Sequence, residues 1–197
     1  MKLLLASKSA ARRHMLEAAG VPFETVEAEL DEAAAKGGLE AARFDARGIA
    51  EELAQLKALS VPPAANALVL GSDQTLELED GSLLGKPESR SEALEQLSRL
   101  SGRTHLLHSS AVVAEHGEAV WWHSETVELT MRRLSPAFLD DYLDREFEQI
   151  RWSVGGYRIE GLGAQLFDRI EGSHFAILGM PLLPLLGYLR ERGLLKS

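Results

Sequence analysis

Three stretches of the chain hold residue types suited to phosphate chemistry. In "LLLASKSAARR" an apolar run ends, Ser7 and Ser9 flank Lys8, and a helical pattern begins that carries Arg12 and Arg13. A helix N-terminus offers unpaired N–H groups and the positive end of a dipole, while an arginine grips phosphate oxygens in a fork. The blander reading is that Ser9 caps a helix whose arginines are solvated. In "ALVLGSDQT" an apolar strand ends at Asp73, where α/β proteins place reactive groups. A carboxylate there can hold a divalent cation or take a proton from water, although strands also end in surface aspartates. The chain returns through the turn signal Asp80-Gly81 to "LLGKP", whose Lys86 offers a compact charge for a phosphate. The third stretch, "SVGGYRIEGLG", frames Glu160 with glycines; it is either a base-edge acceptor or part of a plain bulge.

Other chemistries lack their residues. No G-x-x-x-x-G-K-[ST] loop is present, and the glycines at 161 and 163 are followed by Leu166 where a dinucleotide fingerprint needs a third glycine. No nucleophile elbow surrounds Ser7 or Ser72. The D-x-D-x-T pattern of haloacid-dehalogenase-like phosphatases fails at Asp73-Gln74-Thr75, since that chemistry needs two aspartates two apart. The six histidines form no H-x-x-x-H pair, and His105 and His108 on a strand point to opposite faces, so they read as structural.

Positioning these groups falls to a mixed α/β chain. With 197 residues, 45% hydrophobic, the protein can bury a real core as one compact unit or two small lobes, and residues 1–197 are taken as one domain. The patterns predict strands at 2–5, 23–28 and 67–71, the last continuing past Asp73 into a hairpin. Long antiparallel strands follow at 104–114 and 119–132 around His116-Gly117, with a further strand near 174–178. Helices are expected at 10–19, 39–59, 89–100 with Ser89 as cap, from Pro136 to about 147, and at 181–192; residues 31–38 read as a loop and 153–163 as a loop or bulged strand. Lys57 sits one turn beyond Leu53 on nearly the same helix face, as a snorkelling lysine would. Trp121 and Trp122 are expected to cover one sheet face and to bury part of the other at a lobe or subunit contact.

A net charge of −9 argues against a general nucleic-acid binder, so any phosphate site is local. No apolar run is long enough to span a membrane, and the absence of cysteine fits a reducing cytoplasm.

Read together, "LLLASKSAARRHML", Asp31-Glu32, "LAQLKA", "GSDQT", "LLGKP", "LSGRTH", "GGYRIEGLG" and "GSHFAILGMPL" resemble, in order and spacing over nearly the whole chain, the Maf family of nucleoside triphosphate pyrophosphatases. The resemblance implies hydrolysis of the α–β phosphate bond of a nucleotide to a monophosphate and pyrophosphate, as a house-cleaning step against modified nucleotides. It implies an elongated, two-lobed mixed sheet with flanking helices, similar to inosine triphosphatases. Carried over by position, Ser7 and Arg12 match the S-x-S-x-x-R phosphate motif, Glu32 the loop acid, Lys57 the helix lysine, Asp73 the proton acceptor and Lys86 the lysine of G-K-P. A divalent cation (Mg2+, Mn2+ or Co2+) on Asp73 and Glu32 is implied, and so is the family's alternative role in regulating cell division without essential turnover.

Within the family, Gln74 and an acidic Glu160 resemble the 7-methyl-GTP branch. A carboxylate can accept from guanine N1–H and N2–H, and methylation makes the base cationic. At Ala11 the branches carry a large aromatic or an arginine, so here a contact to the base is missing. A homodimer is expected, because Trp121, Trp122 and the C-terminal helix leave more apolar surface than so small a chain easily buries.

Overall fold

The chain opens β1 (Lys2–Leu5), α1 (Ala10–Ala18), β2 (Glu24–Thr25), as its first 28 residues predict, in a computed structural model that describes residues 1–196. There follow α2 (Glu32–Ala41), α3 (Ala46–Leu59), β3 (Ala67–Leu78), β4 (Leu83–Leu84), α4 (Arg90–Leu100), β5 (Thr104–Glu115) and β6 (Glu118–Met131). The chain closes with α5 (Pro136–Ile150), β7 (Phe167–Glu171), α6 (His174–Ile177) and α7 (Leu182–Glu191). Among the described residues the strands hydrogen-bond in the order β2-β1-β3-β5-β6-β7, with β4 on β3, which makes the sheet mixed. None of the described helices is long and apolar enough to cross a membrane.

Two compact units share these elements: residues 1–74, 109–125 and 173–197 form one, and residues 75–108 and 126–172 the other. In the first unit β1 runs parallel to β2 and to β3, with Leu4 opposite Glu24 and Leu5 opposite Leu70. Successive side chains of a strand point to opposite sheet faces. Leu3, Leu5, Leu68 and Leu70 accordingly pack with Met15 and Leu16 of α1 and with Leu185 and Tyr188 of α7. Leu4 and Val69 face the other way and pack with Ala54 and Ala58 of α3. Fully buried leucines such as Leu3 and Leu70 are each worth about 1.5–3 kcal/mol over exposure.

Gly71 decides how α3 meets the sheet. A Cβ at this position would collide with the backbone carbonyl of Ala54 and stand 2.5 Å from the amide nitrogen of Ala58. Its absence lets the α3 backbone lie directly on β3, a close approach of the kind that marks glycine inside a strand.

In the second unit β4 folds back antiparallel on β3, pairing Leu84 with Leu76 across the Asp80-Gly81 turn, and β7 pairs antiparallel with β6. The 85–87 and 155–156 segments dock on each other here. Gly155 N–H donates to the Gly85 carbonyl at 3.2 Å, and both Gly155 and Gly156 take the left-handed backbone, φ 74° and 68°. His105 and Tyr157 are buried as a hydrogen-bonded pair, 2.8 Å between ring Nε2 and hydroxyl.

Several local expectations change. The helix foreseen at 39–59 is two helices: Arg43 turns left-handed at φ 63° and Asp45 caps α3 by accepting from Gly48 N–H at 2.7 Å. The foreseen loop at 31–38 is helical, because Asp31 caps α2 and its alanines favour helix despite Gly37 and Gly38. Residues 174–177 form a helical turn capped by Ser173 rather than a strand, a short apolar run whose period does not distinguish the two. Strand β2 is only two residues long, and 153–163 contains short 3-10 turns.

Candidate active site

Asp73 lies on β3 two residues past Gly71, and Lys57 lies on α3 between Ala54 and Ala58, the residues that press on that glycine. The close packing brings Lys57 Nζ to 2.5 Å from Asp73 Oδ1. The same ammonium stands 2.9 Å from Glu32 Oε2. Glu32 is placed by the Asp31 cap, which starts α2 by accepting from Ala34 N–H at 3.0 Å. Lys57 is thus a buried cation shared by two carboxylates, not a snorkelling side chain, and it occupies the last turn of α3, where the dipole favours positive charge.

Arg12 is the second buried cation. Its Nε donates to the Gly179 carbonyl at 2.8 Å and one terminal nitrogen donates to Ser7 Oγ at 3.3 Å. Burial lowers its pKa, opposed by the charges of Asp73 and Glu32, so these groups share one electrostatic field. Ser7 also accepts from Ser9 N–H, and Ser9 caps α1 by accepting from the Arg12 N–H, which folds the 7–12 segment around the start of the helix. Ala11 is half-buried in the first turn of α1.

Gln74 follows Asp73 and therefore points to the opposite face of β3. There its Nε2 donates to Ser109 Oγ at 2.8 Å, to the Ala176 carbonyl at 2.9 Å and to the Ile177 carbonyl at 3.1 Å, sharing two hydrogens among three acceptors.

The structure therefore brings Ser7, Arg12, Glu32, Lys57 and Asp73 together in the first unit, with Gln74 behind the strand. Lys86 and Glu160 belong to the second unit. Lys86 is exposed between Gly85 and the buried Pro87, and Glu160 is exposed close enough to Tyr142 for its charge to help raise that phenol's pKa, after burial and Glu146.

The donor set suits a hard divalent cation. Two carboxylates already converge on one positively charged atom, although among the described residues no group of three or more His, Cys, Asp or Glu is placed to hold a metal ion. One or two carboxylates completed by substrate phosphates is the usual protein share of a Mg2+ site.

Sequence reading missed Gly71, Ser72, Ser109 and Gly179. Ser72 Oγ, fully buried, lies 2.7 Å from the Ser110 carbonyl and 3.0 Å from the Gly179 carbonyl, the one that holds Arg12. Gly179 adopts φ 103°, and a Cβ there would stand 3.4 Å from the Arg12 guanidinium. A lone glycine in a strand and a glycine just past a short apolar run were the available signals.

Residues 2–192 match the Maf-like protein family. A nucleoside triphosphate pyrophosphatase of Sphingopyxis alaskensis is 47% identical over 98% of this chain and 98% of its own. A 7-methyl-GTP pyrophosphatase of Rhizobium meliloti is 46% identical over 97% of this chain and 96% of its own. A solved structure of a nucleoside-triphosphatase, dITP/XTP pyrophosphatase, from Mycobacterium abscessus aligns over 98% of this chain and 96% of that one, with 16% identity and a TM-score of 0.48.

Proposed function

The chain belongs to the Maf-like protein family, and from that premise we propose that it hydrolyses nucleoside triphosphates to the monophosphate and pyrophosphate. The observation that carries this reading is the convergence of Asp73, Glu32, Lys57 and Arg12, two acids and two cations, in one corner of the first unit.

Asp73 orients a water and accepts its proton as the water oxygen bonds to the α-phosphorus. The bond from that phosphorus to the α–β bridging oxygen breaks, and pyrophosphate leaves with the electron pair. Lys57 and Arg12 are held in place before substrate arrives, so charge building on the phosphate oxygens meets donors that need not reorganise. Ser7 adds a hydroxyl to the same cradle. To Lys86 we assign, from its place in the G-K-P motif, a share in neutralising the phosphates. A divalent cation, Mg2+, Mn2+ or Co2+, fits Asp73 and Glu32 and would supply Lewis-acid stabilisation of those oxygens.

For the base we infer a guanine made cationic by methylation, read by the Glu160 carboxylate and favoured by the chain's net charge of −9. The protein is further inferred to be a cytoplasmic homodimer. Trp121 stacks on Tyr188 at 5.2 Å, whereas Trp122 is 69% exposed and Leu183 60%, apolar surface that a second copy would cover. A monomer mass by light scattering at micromolar concentration would remove the dimer.

The test is a panel of nucleoside triphosphates, methylated ones included, assayed separately for pyrophosphate and phosphate with Mg2+ or Mn2+. Pyrophosphate as the first product is expected; release of single phosphates, or none at all, overturns the reaction. Arg12→Ala and Lys86→Ala are each expected to lower kcat/KM about a hundredfold.

A further inference from the structure

We propose that Gln74 is a positioning residue: it sets the Arg12 guanidinium through the turn that ends α6, and does not donate to the base. This rests on the phosphate role given to Arg12 above.

Strand alternation separates Gln74 from Asp73. Asp73 shares its face with Val69, which packs on α3, and meets Lys57 there; Gln74 shares its face with Leu68, Leu70 and Ser72, which pack toward α7 and the 176–182 segment. A side chain one residue from the reacting carboxylate is thereby turned to the back of the strand.

What it meets there is a chain of hydrogen bonds leading to Arg12. The last carbonyls of a helix have no partners within it. In α6 Gln74 Nε2 supplies them, donating to Ala176 and Ile177, and Ser109 Oγ donates to the same Ala176 carbonyl at 2.6 Å. That carbonyl also accepts the N–H of Gly179 at 3.0 Å, which fixes the plane of the following peptide. Gly179's own carbonyl then accepts from Arg12 Nε at 2.8 Å and from Ser72 Oγ at 3.0 Å. Gly179 takes a left-handed φ of 103°, a backbone conformation that favours glycine, where its carbonyl faces Arg12. Ser72, Ser109 and Ala176 are fully buried and Gln74 is half-buried, so most of the network lies inside the protein.

Because both hydrogens of the Gln74 amide are shared among these three acceptors, none is left over for a purine or pyrimidine edge. With its donors committed to the protein, Gln74 acts through the phosphates that every substrate shares.

The experiment is a double-mutant cycle read by binding of inorganic pyrophosphate in the presence of Mg2+, with Gln74→Leu, Arg12→Ala and the double variant, each checked for an unchanged fold. Gln74→Leu is expected to weaken pyrophosphate binding roughly tenfold alone and less than about twofold in the Arg12→Ala background, since coupled residues are non-additive. Its ratio of kcat/KM for 7-methyl-GTP over UTP is expected to stay within about twofold of wild type. If Gln74→Leu does not fold, Ser109→Ala, which removes one hydroxyl from the same network, is read in its place against the same expectations. Additive losses, or a changed base ratio with unaltered pyrophosphate affinity, overturn the proposal. A wild type that binds pyrophosphate but hydrolyses no nucleotide overturns the proposed reaction and leaves the cycle readable.

Discussion

Lys57 Nζ is 2.5 Å from Asp73 Oδ1, with Asp73 on β3 and Lys57 in the last turn of α3. This contact exists because Gly71 allows the two backbones to touch, so the pairing of two candidate site residues depends on a residue with no side chain. The same ammonium reaches Glu32, so two acids from α2 and β3 share one buried cation.

Gly71→Ala is therefore expected to damage both stability and activity. The added methyl meets backbone rather than a movable side chain, so α3 must shift; overpacking of this kind costs about 1–3 kcal/mol. Lys57 would move with the helix. Chemical denaturation beside pyrophosphate release checks this, and a variant with wild-type values of both would separate the glycine from the site.

Asp73→Asn keeps shape but loses the proton acceptor and one negative charge. Turnover should fall at least about a thousandfold with the fold intact by circular dichroism, and raising Mg2+ or Mn2+ should not restore it. A correctly folded variant with near wild-type turnover would return Asp73 to a purely structural role beside Lys57.

Glu160→Gln replaces an acceptor oxygen with a donor and removes the charge that favours a cationic base. The ratio of kcat/KM for 7-methyl-GTP over UTP should drop about ten- to a hundredfold, corresponding to a lost charged hydrogen bond. An unchanged ratio would take Glu160 out of base selection.

Acid should weaken the second unit through His105. Burial lowers the pKa of this imidazole from 6.5 to about 4, so the folded protein keeps it neutral. Below pH 6.5 the unfolded chain takes up a proton that the folded chain refuses. Stability present above that pH is lost as pH falls toward 4, by up to about 3 kcal/mol. Denaturation midpoints measured from pH 7 to 4 should decline, and the decline should flatten in His105→Phe, whatever that variant's absolute stability.

Much of this protein was legible along the chain. Ser9, Ser89 and Ser135 cap the helices predicted after them because capping is a local hydrogen bond between a side chain and the next turn. The hairpins at Asp80-Gly81 and His116-Gly117 follow from residues that tolerate positive φ, and the apolar run before Asp73 could only be a central strand. The motifs likewise identified Ser7, Arg12, Glu32, Lys57 and Asp73 as candidates, and family membership is confirmed over residues 2–192. What tertiary structure alone decided is which of these groups face one another. Lys57 read as a surface lysine because periodicity records a face, not what covers it, and α3 lies against β3 only through the void at Gly71. Gln74 adjoins Asp73 in sequence, but pleating turns it to the other face, where its partners at 109, 176 and 177 are distant in sequence and meet it only when the sheet and α6 have assembled.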